Sequence, residues 1–410
     1  MYEPVEQERK RGVLSFSRPV WVLSLVSLAA DISSELLYPI MPLYLLSIGY
    51  GAGLVGVLEG VAEAVAGLSK IYFGRLSDTT GRRASFVRAG YLVSCLARPL
   101  ILLSNASGWI VSMRAADRVG KGLRTGARDA MLTTYSGQHE RGRVFGFHRS
   151  MDSIGAVVGP LLGLIWLHYN PGGYATMFLV SVVPGLFSVG LTWLLPKDAA
   201  AEAVNSKGAS RLHLAGFWAR AGSGYRRLAG VLIVFALVNS ADAFLLLKVR
   251  EMGYSSTVVI GLYLLYNVSQ TLLGLPVGSW ADGRDKRLVL ALGLLVFALV
   301  YTGIAFAQST SALALIFIFY GLYAALTDGV GKAALSAHIP SGEKATGMGF
   351  YQGLSSLATL AASLWTGFLW QTAGAVWPLT ISAGVAVVCA GWLLATRGEK
   401  PSSFRLRISG

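Results

Sequence analysis

The sequence predicts an all-α membrane protein with twelve transmembrane helices in two pseudo-symmetric halves of six. Composition is the first observation: 54% of the 410 residues are hydrophobic, only 14% are charged, and the mean hydropathy is +0.56. An average soluble domain is about a quarter charged. Length is the second, because a span needs about 20 apolar residues and about twelve spans with short loops fill this chain. The third is a set of short motifs that both halves contain.

Each apolar block is predicted to form one helix. In the N-terminal half (19–195), predicted helices 1 to 6 span 19–46, 52–73, 85–103, 108–132, 143–167 and 174–195. In the C-terminal half (227–396), predicted helices 7 to 12 span 227–250, 256–280, 287–307, 311–337, 344–370 and 375–396. An N-terminal segment (1–18), a linker (196–226) and a tail (397–410), all predicted to be cytoplasmic, complete the chain.

Three motifs occur in both halves in the same order. The matched pairs are Gly74–Arg83 with Gly278–Arg287 after predicted helices 2 and 8, Asp117–Lys121 with Asp328–Lys332 in helices 4 and 10, and Gly146-Phe147 with Gly349-Phe350 at the start of helices 5 and 11. This order predicts halves related by an axis along the membrane normal. Such halves commonly hold the substrate between them, near mid-membrane.

Lysine and arginine residues gather at alternate turns between the predicted helices. They precede helix 1, occupy the 2–3, 4–5 and 8–9 turns and follow helix 12, whereas the turns Ser47–Gly53, Ser104–Gly108, Tyr169–Gly173 and Gln308–Ser311 contain none. By the positive-inside rule, this pattern predicts a multi-pass protein of the cell (cytoplasmic) membrane with both termini in the cytoplasm. The net charge of +14 is therefore attributed to topology and not to nucleic-acid binding. The basic linker is either an amphipathic segment on the anionic inner leaflet or a solvated connection.

Patterns typical of covalent catalysis do not occur in the sequence. It contains no nucleophile elbow, phosphate-binding loop or kinase signature, and its five histidines lack the spacing of metal ligands. Both cysteines, Cys95 and Cys389, lie inside apolar blocks, so no disulfide framework is predicted. We expect no enzymatic activity, no metal site and no cofactor.

The segment Gly74–Arg83 resembles the signature that the major facilitator superfamily carries between helices 2 and 3. The signature positions present here are Gly74, Asp78, Gly81, Arg82 and Arg83. Thr79 stands where a basic residue is usual, which removes one gating contact of the signature. The resemblance extends over nearly the whole chain.

Two further motifs resemble those of the same superfamily. Arg114 with Asp117 and Gly120 is similar to the helix-4 motif implicated in proton coupling, although Arg118 stands where glycine is common. The helix-5 motif is similar to that of the antiporter branch, which exports drugs and other solutes, and its residues are Gly155, Gly159, Pro160 and Gly163. The segments 31–35 and 117–129 are similar to a poorly characterised prokaryotic subgroup. The resemblance implies a secondary transporter that is monomeric, embedded in lipid and driven by the proton gradient.

Asp78 lies at the predicted end of helix 2, where it can accept hydrogen bonds from an arginine or from a helix N-terminus. A latch made in one gate state and broken in the other would bias alternating access. The alternative is a static anchor for the loop. The resemblance implies that Asp129 is a partner of the signature's arginines, with Asp282 and Arg284 as the counterpart in the second half.

Predicted helix 4 carries a stripe of basic residues along one face. Its members are Arg114, Arg118, Lys121, Arg124 and Arg128. A charge at the centre of a membrane helix costs at least ~2.5 kcal/mol on insertion scales, so the stripe must line the cavity or pair with carboxylates. Both possibilities stay open, and a buried ion-pair scaffold is the structural alternative to substrate contact.

Acidic residues are the candidate proton carriers. Asp31 and Glu35 are four residues apart, as are Glu59 and Glu63, so each pair shares one face of its helix. Burial and a nearby arginine act in opposite directions on a carboxyl's proton affinity, and gate opening changes both. Static pairing with helix 4 is the alternative, and Glu59 and Glu63 can also simply face the outer vestibule. The proton-coupling candidates are Asp31, Glu35, Glu59, Glu63, Arg114 and Asp117.

Residues with polar or charged side chains on the predicted spans are the candidates for substrate contact. They are Arg114, Arg118, Lys121, Asp242, Tyr266, Asn267 and Gln270. Asp328 and Lys332 are one turn apart and are expected to form a self-contained pair. The basic stripe favours an anionic or zwitterionic substrate.

The predicted function is export of a small solute across the cytoplasmic membrane by proton antiport with alternating access. One alternative is a proton-coupled symporter or facilitator that imports an organic anion. An alternative of another class is a transporter-like receptor or lipid-handling protein without proton-coupled turnover. The predicted partners are a small-molecule substrate, protons and membrane lipid, and not nucleic acid.

Overall fold

The computed structural model describes residues 16–136, 140–196, 198, 214–340 and 343–396. Within these residues the chain forms helices and turns and no strand. The predicted all-α class is therefore confirmed. The predicted tail, most of residues 1–18 and linker residues 199–213 lie outside the described residues.

The fold has two segments, which correspond to the predicted N-terminal and C-terminal halves. The N-terminal segment of the fold, in this sense, contains the first eight helices. They are α1 (Arg18–Leu37), α2 (Ile40–Ser47), α3 (Ala52–Thr80), α4 (Arg83–Leu100), α5 (Ser107–Thr134), α6 (Arg141–Tyr169), α7 (Tyr174–Val180) and α8 (Val182–Leu191). Predicted helix 1 is thus two helices in line, interrupted at Pro39, whose nitrogen carries no hydrogen to donate to a helical bond.

The linker and the C-terminal segment contain the other eight. They are α9 (Leu214–Arg220), α10 (Ser223–Ala236), α11 (Ala243–Glu251), α12 (Ser256–Asp282), α13 (Lys286–Phe306), α14 (Thr310–Ala337), α15 (Lys344–Ala373) and α16 (Val376–Ala395). Predicted helix 7 is broken between Leu237 and Asp242, where the backbone leaves the helical conformation. That break lies beside the central cavity.

The signature segment is mostly helical, which corrects the expectation that it follows predicted helix 2. Helix α3 continues to Thr80 and ends at Gly81, whose φ of +68° is accessible to glycine at little steric cost. Gly74 lies against α5, where a Cβ on Gly126 would come within 2.8 Å of the Gly74 Cα atom. The same correction applies to α12, which continues to Asp282.

Nine stretches of the described chain are long and apolar enough to cross a membrane. They correspond to predicted helices 1, 2, 3, 5, 6, 8, 9, 10 and 12. Every predicted block is helical, but α5, α15 and the broken α10–α11 fall outside this group. The protein is a multi-pass membrane protein, and the count of twelve spans stays a prediction.

The two segments use the same pairs of helices to pack. Helix α5 contacts α3 and α4, and α14 correspondingly contacts α12 and α13. Across the two segments, α3 packs along α15 and α6 packs along α12. These two seams leave a cavity between the segments.

The described parts of the linker pack onto the body of the protein. The Asp198 carboxylate accepts hydrogen bonds from the backbone nitrogens of Ala84 and Ser85, at 2.7 and 3.1 Å, and so caps the first turn of α4. On α9, the buried Phe217 ring contacts the Tyr225 ring edge-on, with 5.3 Å between centroids. These contacts hold both ends of the linker against the helices.

Candidate functional site

The cavity between the segments has two adjoining parts. The part between α3 and α14, which we call the α3–α14 chamber, has a volume of about 500 Å³. The part between α6 and α12, the α6–α12 chamber, has a volume of about 910 Å³. Lys121, Thr125 and Asp328 line both chambers, so the two adjoin at these side chains. A solute of drug size fits such a space.

The cavity reaches one end of the helices and is closed at the other. The α6–α12 chamber extends to Gly146, Asp282 and Lys286, at the end that also carries the turn after Thr80; we call this the basic end. At the opposite end, the Tyr174 hydroxyl lies 2.5 Å from the Ser256 hydroxyl, joining the two segments. Gly56 also packs there against Ser363 and Gly367 of α15. The structure is therefore a state open at the basic end.

The first part of the basic stripe is buried in ion pairs. The Arg114 guanidinium lies 2.8 Å from a Glu59 carboxylate oxygen and 3.7 Å from Asp117. Asp117 also receives a hydrogen bond of 3.2 Å from Arg98 Nε. All four side chains are buried, so these charges satisfy one another inside the N-terminal segment. Glu59 thus does not face a vestibule.

Arg98 was absent from the predicted site, although it completes this network. Its Nη1 donates a 2.5 Å hydrogen bond to the Ser33 hydroxyl, which in turn donates to the Ser181 carbonyl at 2.6 Å. The network therefore links α4 and α5 to α1 and to the junction of α7 and α8. An arginine inside an apolar block was the available signal, because such a residue requires a partner in the membrane.

The rest of the stripe divides between scaffold and cavity. Arg124 donates to the Ser94 hydroxyl at 2.7 Å and lies over the Tyr91 ring, 4.5 Å from its centroid. Lys121 is exposed to both chambers. Arg118 is buried, and among the described residues its Nε has no hydrogen-bond partner.

At the basic end of the stripe, Arg128 pairs with Asp129 at 2.9 Å and also donates to the Ser27 hydroxyl at 3.1 Å. Asp129 was expected to bind the arginines of the signature. In the described part of the chain it binds its neighbour Arg128 instead, because that guanidinium is closer to its carboxylate.

The acidic pair of α1 faces the cavity. Asp31 and Glu35 both line the α6–α12 chamber. Glu35 accepts a 2.8 Å hydrogen bond from the Tyr263 hydroxyl of α12, so it connects the two segments. For the Asp31 carboxylate, the described residues supply no hydrogen bond. Glu63 lines the α3–α14 chamber and is exposed there.

The glycines of the helix-5 motif allow α6 to approach this acidic pair. A Cβ on Gly155 would lie 2.8 Å from the Asp31 Cβ, and one on Gly159 would lie 2.7 Å from the Leu36 nitrogen. Gly163 is less tightly packed, with its nearest neighbour at 3.5 Å. Pro160 lies within the same helix, α6. The motif thus brings the α6 backbone against the turn of α1 that carries both carboxylates.

The C-terminal segment offers tyrosines where the N-terminal segment offers arginines. The Tyr320 hydroxyl donates a 2.6 Å hydrogen bond to Asp242, next to the break between α10 and α11. The Tyr320 and Tyr266 rings lie 4.8 Å apart, and Tyr266 lies 5.8 Å from Tyr263. These rings therefore form a continuous file from Asp242 to the hydroxyl that binds Glu35.

The remaining candidates of α12 and α14 lie at the same cavity. Tyr266, Asn267 and Gln270 all line the α6–α12 chamber. Gln270 donates a 3.2 Å hydrogen bond to Asp328, whereas no ion pair joins Asp328 to Lys332 among the described residues. Asn267 donates to the Tyr263 carbonyl of its own helix.

The signature residues form only exposed pairs in this state. Asp78 lies 3.5 Å from Arg83, and its side chain is 65% exposed. Asp282 lies 3.3 Å from Lys286 with an exposure of 86%, and Arg284 lies over the Trp280 ring. Arg82 is also exposed. No latch between the segments is formed by the described residues at this end.

Comparisons with known proteins place these features in a family. The sequence matches the Major Facilitator Superfamily over residues 23–266 and 228–409. It is 28% identical to an uncharacterised MFS-type transporter of Methanocaldococcus jannaschii, over 89% of this chain and 92% of that one. It is 24% identical to the multidrug resistance protein MdtH of Yersinia enterocolitica, over 67% of each chain.

The fold has a counterpart among solved structures. A mutant of the nucleoside transporter NupG superposes with a TM-score of 0.78, covering 93% of this chain and 100% of that one. The two sequences are only 13% identical. The likeness concerns the arrangement of helices.

Proposed function

We propose that this chain, which belongs to the Major Facilitator Superfamily, exports a small solute from the cytoplasm in exchange for protons. It is a membrane transporter and not an enzyme. In our proposal it acts as a monomer in the cytoplasmic membrane, with the proton gradient as its energy source and no cofactor. Its basic end, where the cavity opens, faces the cytoplasm in agreement with the positive-inside rule.

The observation that carries the proposal is the position of Asp31 and Glu35. Both carboxylates line the α6–α12 chamber, and Glu35 also binds Tyr263 across the two segments. A carboxylate that touches both the cavity and the opposite segment senses the gate state, because gate movement changes its solvation and its hydrogen-bond donor. A proton taken up on one side and released on the other then drives the exchange.

Competition between protons and solute for the cavity couples proton uptake and release to solute export, which is antiport. Protons and a zwitterionic solute exclude each other when the cationic group of the solute requires the ionised acidic pair, so that its binding displaces protons, and this coupling is reciprocal. In support of export, the helix-5 glycines hold α6 against the acidic pair, and one relative is named a multidrug resistance protein. The buried network of Arg114, Asp117 and Glu59 serves in our proposal as the rigid wall against which the cavity residues move.

The charges of the cavity favour an anionic or zwitterionic solute. Lys121 is exposed to both chambers, while Arg118 is buried with an unpartnered Nε nearby on the same helix. Lys121 thus lies where its charge can act on a bound solute, whereas Arg118 is not among the described residues that line either chamber. Tyr266, Asn267 and Gln270 supply polar contacts from the other segment.

Alternating access would use the signature as its latch. In the state open at the basic end, Asp78 and Asp282 are exposed and bind only residues of their own segment. Closing this end would bring the signature against the other segment. A latch that is broken in the open state fits this arrangement.

The test is proton release from purified protein in weak buffer during titration with a panel of organic anions, zwitterions and cations. Binding of the transported solute should release protons from wild type, and Glu35→Gln and Asp31→Asn should abolish the release and pH-driven transport while leaving thermal stability close to that of wild type. Asp282→Asn, at the rim of the same chamber, is the matched control and should keep the release.

Three outcomes would contradict the proposal. Unchanged pH dependence in both the Glu35 and Asp31 variants would remove the carrier assignment. Binding detected by thermal shift without any proton change would identify a facilitator or a receptor, and uptake of the solute together with protons would identify a symporter.

A further inference from the structure

Three lysines line the α3–α14 chamber, and one of them, Lys70, belongs neither to the repeated motifs nor to the basic stripe. Lys70 comes from α3, Lys121 from α5 and Lys332 from α14, so the two segments of the fold both contribute. All three side chains are exposed to the chamber. Among the described residues, none of the three ammonium groups forms an ion pair or a hydrogen bond.

The lysines are spread along the depth of the cavity. Lys332, Lys70 and Lys121 lie 5, 10 and 13 residues from the ends of α14, α3 and α5 at the basic end. At 1.5 Å per residue these positions are about 8, 15 and 20 Å deep. They form a series of positive charges from the opening to the middle of the protein.

Unpaired lysines at this depth require an explanation, because membrane proteins normally pair such charges or use them for function. Lys332 repels Lys70 across the boundary between the segments, although the Asp129 carboxylate attracts Lys70 more strongly. Two like charges there oppose closure of the basic end. An anion between them removes that opposition and favours closure, since a ligand shifts a conformational equilibrium by its differential affinity for the two states.

The carboxylates of the chamber do not neutralise the three lysines. Among the described residues, the carboxylates that line it are those of Glu63 and Asp328, and the hydrogen bond that Asp328 accepts from the neutral Gln270 amide leaves its charge in place. The three lysines therefore exceed the lining carboxylates by one positive charge. The hydroxyl and amide groups of Thr359, Asn239 and Ser355 provide further hydrogen-bond partners on the chamber wall.

We propose that Lys70 and Lys332 form a binding site for the anionic group of the solute, a carboxylate or a phosphate, with Lys121 completing it on the deeper side. The site joins the two segments through the ligand, so its occupation promotes closure of the basic end. It deepens the proposed export function, on which it rests, by assigning residues from both segments to the recognition of negative charge.

The test is a thermal-shift titration of purified protein with citrate, sulfate and inorganic phosphate, at ionic strength held constant with sodium chloride. Spermidine serves as the cationic probe. At least one of the three anions should stabilise wild type in a saturable way, and spermidine should not. Lys70→Gln and Lys332→Gln should each weaken the apparent affinity about tenfold, as expected for loss of one charged hydrogen-bond donor.

The matched control is Lys286→Gln, which removes a lysine of the neighbouring chamber that already pairs with Asp282 at 3.3 Å. Its affinity for the anion should stay within about twofold of wild type, a change worth only ~0.4 kcal/mol. Lys332→Arg should retain binding, because arginine keeps the charge and the donors. The unliganded variants Lys70→Gln and Lys332→Gln should unfold at or above the wild-type temperature, since they remove like-charge repulsion.

Three results would overturn the site: no saturable effect of any of the three anions, full affinity in both Gln variants, or an equal loss in Lys286→Gln. The proton-release measurement separates this failure from that of antiport. Binding of the transported solute that depends on Lys70 and Lys332 but occurs without proton release would leave the site and remove the antiport. Proton release on binding of a cation, unchanged in these variants, would leave the antiport and remove the site.

Discussion

Helices α5 and α14 carry the same five-residue pattern in different surroundings. In α5, Asp117 is 4% exposed and binds Arg98 and Arg114. In α14, the matching Asp328 is exposed to the cavity and, within the described part of the chain, accepts a hydrogen bond from the Gln270 amide alone. One copy of the pattern is therefore part of a rigid scaffold, and the other is part of the wall that a solute meets.

The neighbours of the two aspartates explain the difference. When the repeated motifs are aligned, Glu59 of α3 corresponds to Tyr263 of α12, and Arg114 corresponds to Ala325. The ion pair of the N-terminal segment thus has no equivalent in the C-terminal one. Tyr263 is instead available to bind Glu35 of the other segment. A repeat fixes where a residue lies along its helix, while the surrounding helices decide what it does.

The largest effect that separates the two copies should come from Asp117→Asn. This change leaves Arg98 and Arg114 short of negative charge in a buried site, which costs about 3–5 kcal/mol where such pairs have been broken. Asp328→Asn, the matched change in α14, should alter the free energy of unfolding by less than about 1 kcal/mol, as is usual for exposed positions. Thermal unfolding of both variants in the same detergent measures the difference.

Equal losses of stability in the two variants would break the comparison. A stable Asp117→Asn protein would mean that the arginines find other partners, such as the Ser33 hydroxyl that already binds Arg98. An unstable Asp328→Asn protein would mean that Asp328 supports the fold and does not serve the cavity.

A smaller effect should follow from Tyr320→Phe in the C-terminal segment. The phenylalanine keeps the ring contact with Tyr266 but loses the hydrogen bond to Asp242. A hydrogen bond to a charged group is worth about 1.5–3 kcal/mol, and Asp242, which is only half-buried, recovers part of this from solvent. We expect a loss of about 1 kcal/mol, together with slower transport.

Tyr91→Phe is the matched control for that change. Among the described residues, the buried Tyr91 hydroxyl has no hydrogen-bond partner, and the ring under Arg124 is preserved in the variant. Its stability should therefore be close to that of wild type. If Tyr320→Phe and Tyr91→Phe unfold at the same temperature, the Tyr320–Asp242 hydrogen bond does not stabilise this state.

The class of fold and the positions of the helices could be predicted from the sequence, because apolar length and charge placement determine them directly. The charge pairing could be predicted only in part. The stripe of α5 had to line a cavity or bind carboxylates, and it does both, with Arg114 paired and Lys121 exposed. Which residue takes which role depends on how α5 is rotated against α3 and α4, and sequence periodicity does not specify that rotation.

Contacts between distant helices were the least accessible to sequence reasoning. Arg98 was overlooked because a single cation in an apolar block forms no motif, although it binds Asp117. The hydrogen bond between Tyr263 and Glu35 crosses from one segment to the other. Such a contact depends on the gate state as well as on the fold, so no local pattern indicates it.

The smallest effect should come from the repeated signature itself. Asp78→Asn and Asp282→Asn each remove an exposed ion pair, with carboxylate side chains that are 65% and 86% exposed. Exposed pairs contribute about 0–1 kcal/mol, so neither variant should change the unfolding temperature of the state open at the basic end appreciably. Transport should nevertheless slow if these carboxylates bind the other segment when that end closes. A large loss of stability in either variant would show that the latch is already made in the open state. A loss of stability confined to Asp78→Asn would show that the two signatures, like the two aspartates of α5 and α14, differ between the segments.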